Sequence, residues 1–245
     1  MVMVNLTING RKIKAEEGTT ILYAARDNNI FIPTLCENEA VAPYGACRLC
    51  LVEIKTTKGR ERLVTSCIYQ VEEGLIVNTN TERIRKIRGM LLELLLARCP
   101  DSEVIQDMAA EAGINGTRLT KRRGNNKCIL CANCVRTCEE VVGVSAISLA
   151  KRGVDREMTT PFGEDFSEAC IGCGSCAYSC PTGAITLTDR GSKRTIKWPH
   201  NRMEFKLRKC SVCGNYWAPE KQIEYIARIS GTPLSEYDAC PDCRA

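Results

Sequence analysis

Apolar and polar positions divide this chain into short strands at its start and longer helices further on. Residues 2–8 are rich in apolar, β-favouring side chains, Asn9-Gly10 is a two-residue hairpin signal, and Arg11–Ala15 returns as a second strand. Gly18-Thr19-Thr20 then supplies a helix start, with Ile21, Leu22, Ala24 and Ala25 as the buried face. Past Pro33 the pattern breaks into a loop, and strands follow at Leu51–Lys55 and Arg62–Thr65 around a turn at Gly59. From Glu82 to Arg98 the period becomes helical, with Ile84, Ile87, Met90, Leu91, Leu94 and Leu95 as the expected apolar stripe. A second helix is expected over about 102–112, ended by Gly113. A linker is expected near Trp198-Pro199, and one more helix around Glu220–Ile229.

Cysteine content changes the picture. Sixteen of the 17 cysteines fall into four sets of four, and Cys99 is left over. The first set is Cys36, Cys47, Cys50 and Cys67. The second is Cys128, Cys131, Cys134 and Cys138, and the third is Cys170, Cys173, Cys176 and Cys180. The fourth joins two C-x2-C pairs, Cys210/Cys213 and Cys240/Cys243. A disulfide framework fits poorly. Such chains are short and secreted, whereas this one has 245 residues and starts without a basic or apolar export segment. No apolar stretch is long enough to span a bilayer, so a reducing, cytoplasmic compartment is expected, with thiolates available as ligands.

Spacing then assigns chemistry. The second and third sets both read C-x2-C-x2-C-x3-C, the run that holds [4Fe–4S] clusters, with the fourth cysteine of each run serving the other cluster. One cubane is therefore expected on Cys128, Cys131, Cys134 and Cys180, the other on Cys170, Cys173, Cys176 and Cys138. The first set has a C-x2-C pair and a distant fourth cysteine, as in plant-type [2Fe–2S] proteins, with a longer first gap. Two strands, a helix and two more strands around that loop give the β-grasp order. The fourth set suits a structural zinc held by Cys210, Cys213, Cys240 and Cys243, with a further iron–sulfur cluster as the alternative. If so, the tail is expected to be dispensable for the three clusters. Cys99 is expected to be a buried structural thiol, His200 an inert imidazole and Lys121-Arg122-Arg123 a solvated loop. Gly172-Cys173-Gly174-Ser175-Cys176-Ala177 matches a dinucleotide fingerprint only by coincidence, because its cysteines are ligands and no βαβ unit surrounds it.

The expectation is an α+β chain of four parts. These are a [2Fe–2S] β-grasp domain (1–80), a helical linker (81–120), a 2[4Fe–4S] ferredoxin domain (121–195) and a small zinc-ribbon-like tail with four cysteines (204–245). The formal charge of +5 counts cysteines as neutral. Four loaded sites add roughly −8, which leaves the protein near about −3 and removes the case for nucleic acid. With only 5% aromatic residues the chain also has no stacking platform for single strands.

Lys127-Cys128-Ile129-Leu130-Cys131 with Cys134-Val135-Arg136-Thr137-Cys138-Glu139-Glu140 resembles the double-cubane segment of the large iron–sulfur subunit of complex I and of NAD-linked hydrogenases and formate dehydrogenases. Ile32-Pro33-Thr34-Leu35-Cys36 and Gly45-Ala46-Cys47-Arg48-Leu49-Cys50 resemble their [2Fe–2S] motif. The resemblance covers about residues 1–190. It implies a relay subunit in a hetero-oligomer, without an active site of its own. Electrons would pass between an FMN-bearing NAD(P)H-oxidising subunit and a catalytic subunit, a hydrogenase by preference and electron-bifurcating in some complexes. A formate dehydrogenase or transhydrogenase complex, or a free-standing polyferredoxin, is the alternative. The family's extra cubane, bound by one His and three Cys, is not expected here, because Leu96-Ala97-Arg98-Cys99-Pro100-Asp101 offers one cysteine and no histidine.

Overall fold

A computed structural model describes residues 2–122, 126–160 and 168–244, which form two compact units, Met1–Cys131 and Ala132–Ala245. In the first unit, β1 (Met3–Ile8) and β2 (Arg11–Glu16) form an antiparallel hairpin. Its turn residues Asn9 and Gly10 both have positive φ (50° and 80°), which matches the right-handed twist of the flanking strands. Helix α1 (Ile21–Asp27) starts at Thr20, whose hydroxyl accepts from the Tyr23 N–H. Ile21, Leu22, Ala24 and Ala25 face the core as expected.

Strands β3 (Leu51–Lys55) and β4 (Glu61–Thr65) pair antiparallel, and a fifth strand, β5 (Ile76–Asn78), completes the sheet. β5 runs parallel to β1 and antiparallel to β3, giving the order β2-β1-β5-β3-β4. The sequence pattern does not predict β5. It has three residues, too few to show a period, and its strand state comes from the long-range pairs Thr7–Ile76 and Ile8–Val77. Ile8, Ile21, Leu22, Val52, Leu75 and Val77 are fully buried beneath this sheet, and each contributes roughly 1.5–3 kcal/mol by leaving water.

Helix α2 (Glu82–Arg98) has the predicted bounds and is capped by the Thr81 hydroxyl. Its buried face differs from the expected stripe. Ile84, Leu92, Leu96 and Ala97 are buried, while Met90 and Leu94 are exposed. Residues 89–97 are apolar around most of the helix, so periodicity alone does not choose a face. Packing chooses it, because Leu92 and Leu96 meet Leu35 and Leu49 of the cysteine loop and Ile105 and Ala109 of α3 (Glu103–Glu111).

In the second unit, two one-turn helices, α4 (Asn133–Arg136) and α5 (Ser175–Tyr178), follow cysteine loops, and a π-helical turn at Thr137–Val141 continues α4. A small hairpin, β6 (Ser148–Ala150) with β7 (Glu157–Thr159), lies between them in sequence. Strands β8 (Thr186–Arg190), β9 (Lys193–Lys197), β10 (Arg202–Lys209) and β11 (Tyr216–Pro219) then form one antiparallel sheet in the order β11-β10-β9-β8. The expected linker near Trp198-Pro199 is instead the tight turn between β9 and β10, closed by the Trp198 N–H on the Asn201 carbonyl at 2.7 Å. The sheet thus joins the cubane segment to the tail. Helix α6 (Glu220–Ser230) closes the unit and ends at Gly231 in the left-handed region. Among the described residues no helix is long and apolar enough to cross a membrane.

Candidate metal centres

The first cysteine set closes around the loop between α1 and β3. Gly45 has φ +66°, a conformation that glycine adopts without strain, and a β-carbon there would also displace the tip of the Ile68 side chain, 2.6 Å away. Arg48 also adopts positive φ (61°). The resulting turn brings the Cys47 N–H to 3.3 Å from the Cys36 sulfur. The Cys50 and Cys67 sulfurs lie 3.3 Å apart. All four cysteines are buried, and they meet as two couples, Cys36 with Cys47 and Cys50 with Cys67. Thiol-to-thiol hydrogen bonds dominate their acidity. Cys47 is pushed down to about 6 by its bond with Cys36, and Cys50 to about 7 by its bond with Cys67, while Cys36 and Cys67 are raised. Backbone N–H groups of Leu35 and Leu49 also favour the Cys47 thiolate. Two sulfur couples, each near enough to share one metal and both fed by N–H donors, fit a two-iron cluster with one couple on each iron.

The third set brings Cys170, Cys173 and Cys176 together with Cys138 around one small cavity walled by Ile147, Ile196 and Trp198. Cys138 reaches it from the π-helical turn, and the Ala146 N–H stands 3.3 Å from its sulfur. Burial raises Cys138, takes Cys170 to about 11 and takes Cys176 to about 12. The Trp198 indole acts against burial at Cys176, and the Gly172 N–H does so at Cys170. Burial without a metal penalises thiolates, and a polycation would remove that penalty. This donor set and its dry cavity fit a cubane.

The backbone of this loop is built for close approach. Gly172 (φ +72°) and Gly174 (φ +84°) lie against Phe205 of β10 and Leu187 of β8, so a β-carbon on either would come within 2.5 Å of those side chains. In the second set the corresponding positions are Leu130 (φ 55°) and Ala132 (φ 63°), which reach the same left-handed region without glycine. In the first compact unit, Cys131 is buried among Leu35, Leu49 and Ile105, and the Cys128 carbonyl accepts from the Cys99 thiol at 3.0 Å. In the second, Cys134 is buried and Cys180 lies 3.8 Å from the Thr182 hydroxyl. The fingerprint-like Gly172–Ala177 segment leads into a single helical turn, and its glycines serve sheet contact.

The tail cysteines converge as well. The sulfurs of Cys210, Cys213, Cys240 and Cys243 all lie within 4.8 Å of one another, with Cys213 and Cys240 at 3.8 Å. Three backbone N–H groups, from Val212, Cys213 and Cys240, point at the Cys210 sulfur and push its thiol down to about 6. Arg244 stacks over the Trp217 and Tyr237 rings at 5.3 and 4.8 Å and so ties the second knuckle to β11.

Cys99 is fully buried, and its thiol is pushed up to about 12, chiefly by burial. His200 is exposed, with Glu157 at 3.8 Å. In the basic stretch, the Arg122 N–H bonds the Ala97 carbonyl, and Arg123 lies outside the described residues. Spacing had no way to single out Arg88, Arg194, Trp198 or Phe205. Each acts on a cysteine loop from an element distant in sequence.

Fold and sulfur geometry together define an iron–sulfur protein with a [2Fe–2S] β-grasp domain and a cubane-type domain. The 2Fe-2S iron-sulfur cluster binding domain family matches residues 2–82. The 4Fe-4S dicluster domain family matches residues 169–215. The NADPH-Fe(3+) oxidoreductase subunit alpha of Geobacter sulfurreducens is 35% identical over 92% of this chain, which spans 28% of that relative. The NADP-reducing hydrogenase subunit HndD of Solidesulfovibrio fructosivorans is 32% identical over 75% of the chain and is covered over 36% of its length. Among solved structures, a chain of the NAD+-reducing [NiFe]-hydrogenase in the H2-reduced state superposes with a TM-score of 0.64 at 27% identity, covering 74% of this chain and 85% of that one. The chain thus carries both kinds of iron–sulfur domain and is similar to iron–sulfur subunits that include NADH-quinone oxidoreductase G subunits and an NADP-reducing hydrogenase subunit. It spans about a quarter to a third of the length of these curated relatives.

Proposed function

We propose that this chain is an electron relay between a flavin-bearing subunit that oxidises NAD(P)H and a catalytic subunit, with a hydrogenase-type partner favoured. The observation that carries the reading is the convergence of the cysteines into a two-couple site and a cavity site, in a chain whose relatives are named as subunits of NADH- and NADPH-linked complexes. Iron–sulfur clusters supply one-electron stations there. The protein holds the sulfurs in place, keeps water away through Leu35, Leu49, Ile147 and Ile196, and presents N–H groups to them. In this reading Cys36, Cys47, Cys50 and Cys67 hold the [2Fe–2S] cluster. Cys138, Cys170, Cys173 and Cys176 hold one cubane. Cys128, Cys131, Cys134 and Cys180 hold the other, on the strength of the paired sequence runs.

For the tail we infer a single zinc ion. Tetrahedral Zn–S bonds of about 2.3 Å put sulfurs about 3.8 Å apart, which agrees with the Cys213–Cys240 separation of 3.8 Å. A cubane would place each thiolate on a different iron and spread the four sulfurs further. The inferred parts are 1–80, 81–120, 121–195 and 204–245, with the tail continuing the cubane segment's sheet.

Metal analysis and reduction kinetics test this reading. The reconstituted full chain is expected to hold about ten irons and one zinc. NADH or NADPH is expected to bleach its clusters only when a flavin-bearing partner subunit is added. About fourteen irons without zinc would refute the tail assignment, and direct reduction of the isolated chain by NAD(P)H would refute the relay.

A further inference from the structure

Two arginines reach cysteine loops from neighbouring elements in the same way. From α2, the Arg88 Nε donates to the Leu49 carbonyl at 2.9 Å, and a terminal nitrogen donates to the Leu51 carbonyl at 2.8 Å. These carbonyls flank Cys50. From β9, one Arg194 nitrogen donates to the Gly172 and Cys173 carbonyls, each at 3.3 Å. The rest of that guanidinium grips the Asp189 carboxylate at 2.8 and 2.9 Å. Arg88 is half-buried, and the Arg194 side chain is 12% exposed. Solvent screening is therefore weak at Arg194 and reduced at Arg88.

We propose that Arg88 and Arg194 set the potentials of their clusters: each pins two carbonyls of one cysteine loop and holds a positive charge beside the cluster that the loop carries. The inference rests on the cluster assignment above. Two physical effects act together. In a trans peptide the C=O and N–H point in opposite directions. A carbonyl held by the arginine therefore turns the next N–H, that of Cys50 or of Cys173 and Gly174, away from the guanidinium. Reduction adds a negative charge to an already anionic cluster, so a nearby cation favours the reduced form and raises the potential. Asp189 makes the two sites unequal, because its carboxylate partly offsets Arg194.

The test is a redox titration of the reconstituted full chain, followed by paramagnetic resonance with iron content measured alongside. Arg88→Met is expected to lower the [2Fe–2S] reduction equilibrium about tenfold, which is about 59 mV for one electron, and to leave the cubane signals in place. Arg88→Lys, which keeps the charge, should recover most of the shift. Arg194→Met should lower the potential of the cubane assigned to Cys138, Cys170, Cys173 and Cys176, whereas Asp189→Asn should raise it. A purely structural clamp would move these last two variants in the same direction, and that result overturns the proposal. So does an unmoved [2Fe–2S] potential in Arg88→Met. If Arg88→Met does not retain its cluster, Arg88→Gln keeps a donor without the charge and is read by the same criterion. A wild-type chain without a [2Fe–2S] signal would instead overturn the cluster assignment.

Discussion

Gly172→Ala is a direct probe of how the sheet bears on the cubane loop. The added methyl would sit 2.5, 2.7 and 2.9 Å from three atoms of the Phe205 ring, on a backbone at φ +72°. Left-handed backbone costs a residue with a β-carbon about 1–2 kcal/mol. Overpacking a filled site costs typically about 1–3 kcal/mol more. The ring cannot swing clear as a flexible chain end could, because Phe205 is itself buried against the same cluster site. The sum is roughly 2–5 kcal/mol of local strain, carried by the turn between Cys170 and Cys173. If loop opening precedes iron loss, release to a chelator should accelerate at least about thirtyfold, given about 1.4 kcal/mol per factor of ten. Loss of visible cluster absorbance at fixed chelator concentration gives the rate. Gly191→Ala is the control. It also has positive φ, but it sits on the β8–β9 turn with nothing within 4 Å, so its release rate should match the wild type. In a Phe205→Ala background the steric part disappears, and Gly172→Ala should then cost only its backbone share, a coupling read as non-additivity. Wild-type release from Gly172→Ala, or strict additivity with Phe205→Ala, would refute the packing argument.

Two further outcomes follow from particular contacts. Cys99→Ala should leave iron content unchanged, while loss of the buried thiol and its bond to the Cys128 carbonyl lowers stability by about 1–2 kcal/mol in denaturant melts; iron loss from a folded variant would make Cys99 a ligand. Deleting residues 204–245 removes Phe205 and most of β10, so the cubane proposed for Cys138, Cys170, Cys173 and Cys176 should be lost while the [2Fe–2S] spectrum remains. Retention of both would show that the sheet does not support the loop.

That last prediction reverses the expectation drawn from sequence, and the reason lies in β8 and β9. Every residue from Thr186 to Arg190 is exposed, and Lys193–Lys197 is mostly polar. No alternation marks these segments as strands, so Trp198-Pro199 resembles a linker between two parts. Hairpin pairing makes them strands, and Ile196 is the single side chain that they bury, with Trp198 buried just beyond. The first 65 residues read more clearly because a hairpin turn, a capped helix and alternating strands agree with one another. The extent of α2 is legible from its helical apolar period over Glu82–Arg98, whereas its buried side is not, since nearly every side is apolar. The cysteines proposed as ligands are legible because metal geometry fixes their spacing. Arg88 and Arg194 are not, because what they grip is backbone, and carbonyls have no letter in a sequence.

The two cubane-type turns trace the same left-handed pair of dihedrals, once through Leu130 and Ala132 and once through Gly172 and Gly174. The ligand turn by itself therefore tolerates side chains, and the demand for glycine comes from the sheet resting on one of the two turns. Mutational tolerance should split accordingly. The first turn should accept small and apolar residues at modest strain, while the second should hold glycine at 172 for as long as the buried Phe205 ring of β10 lies across it. Two copies of one motif therefore differ in the substitutions that they can accept, through the sheet packed over one of them.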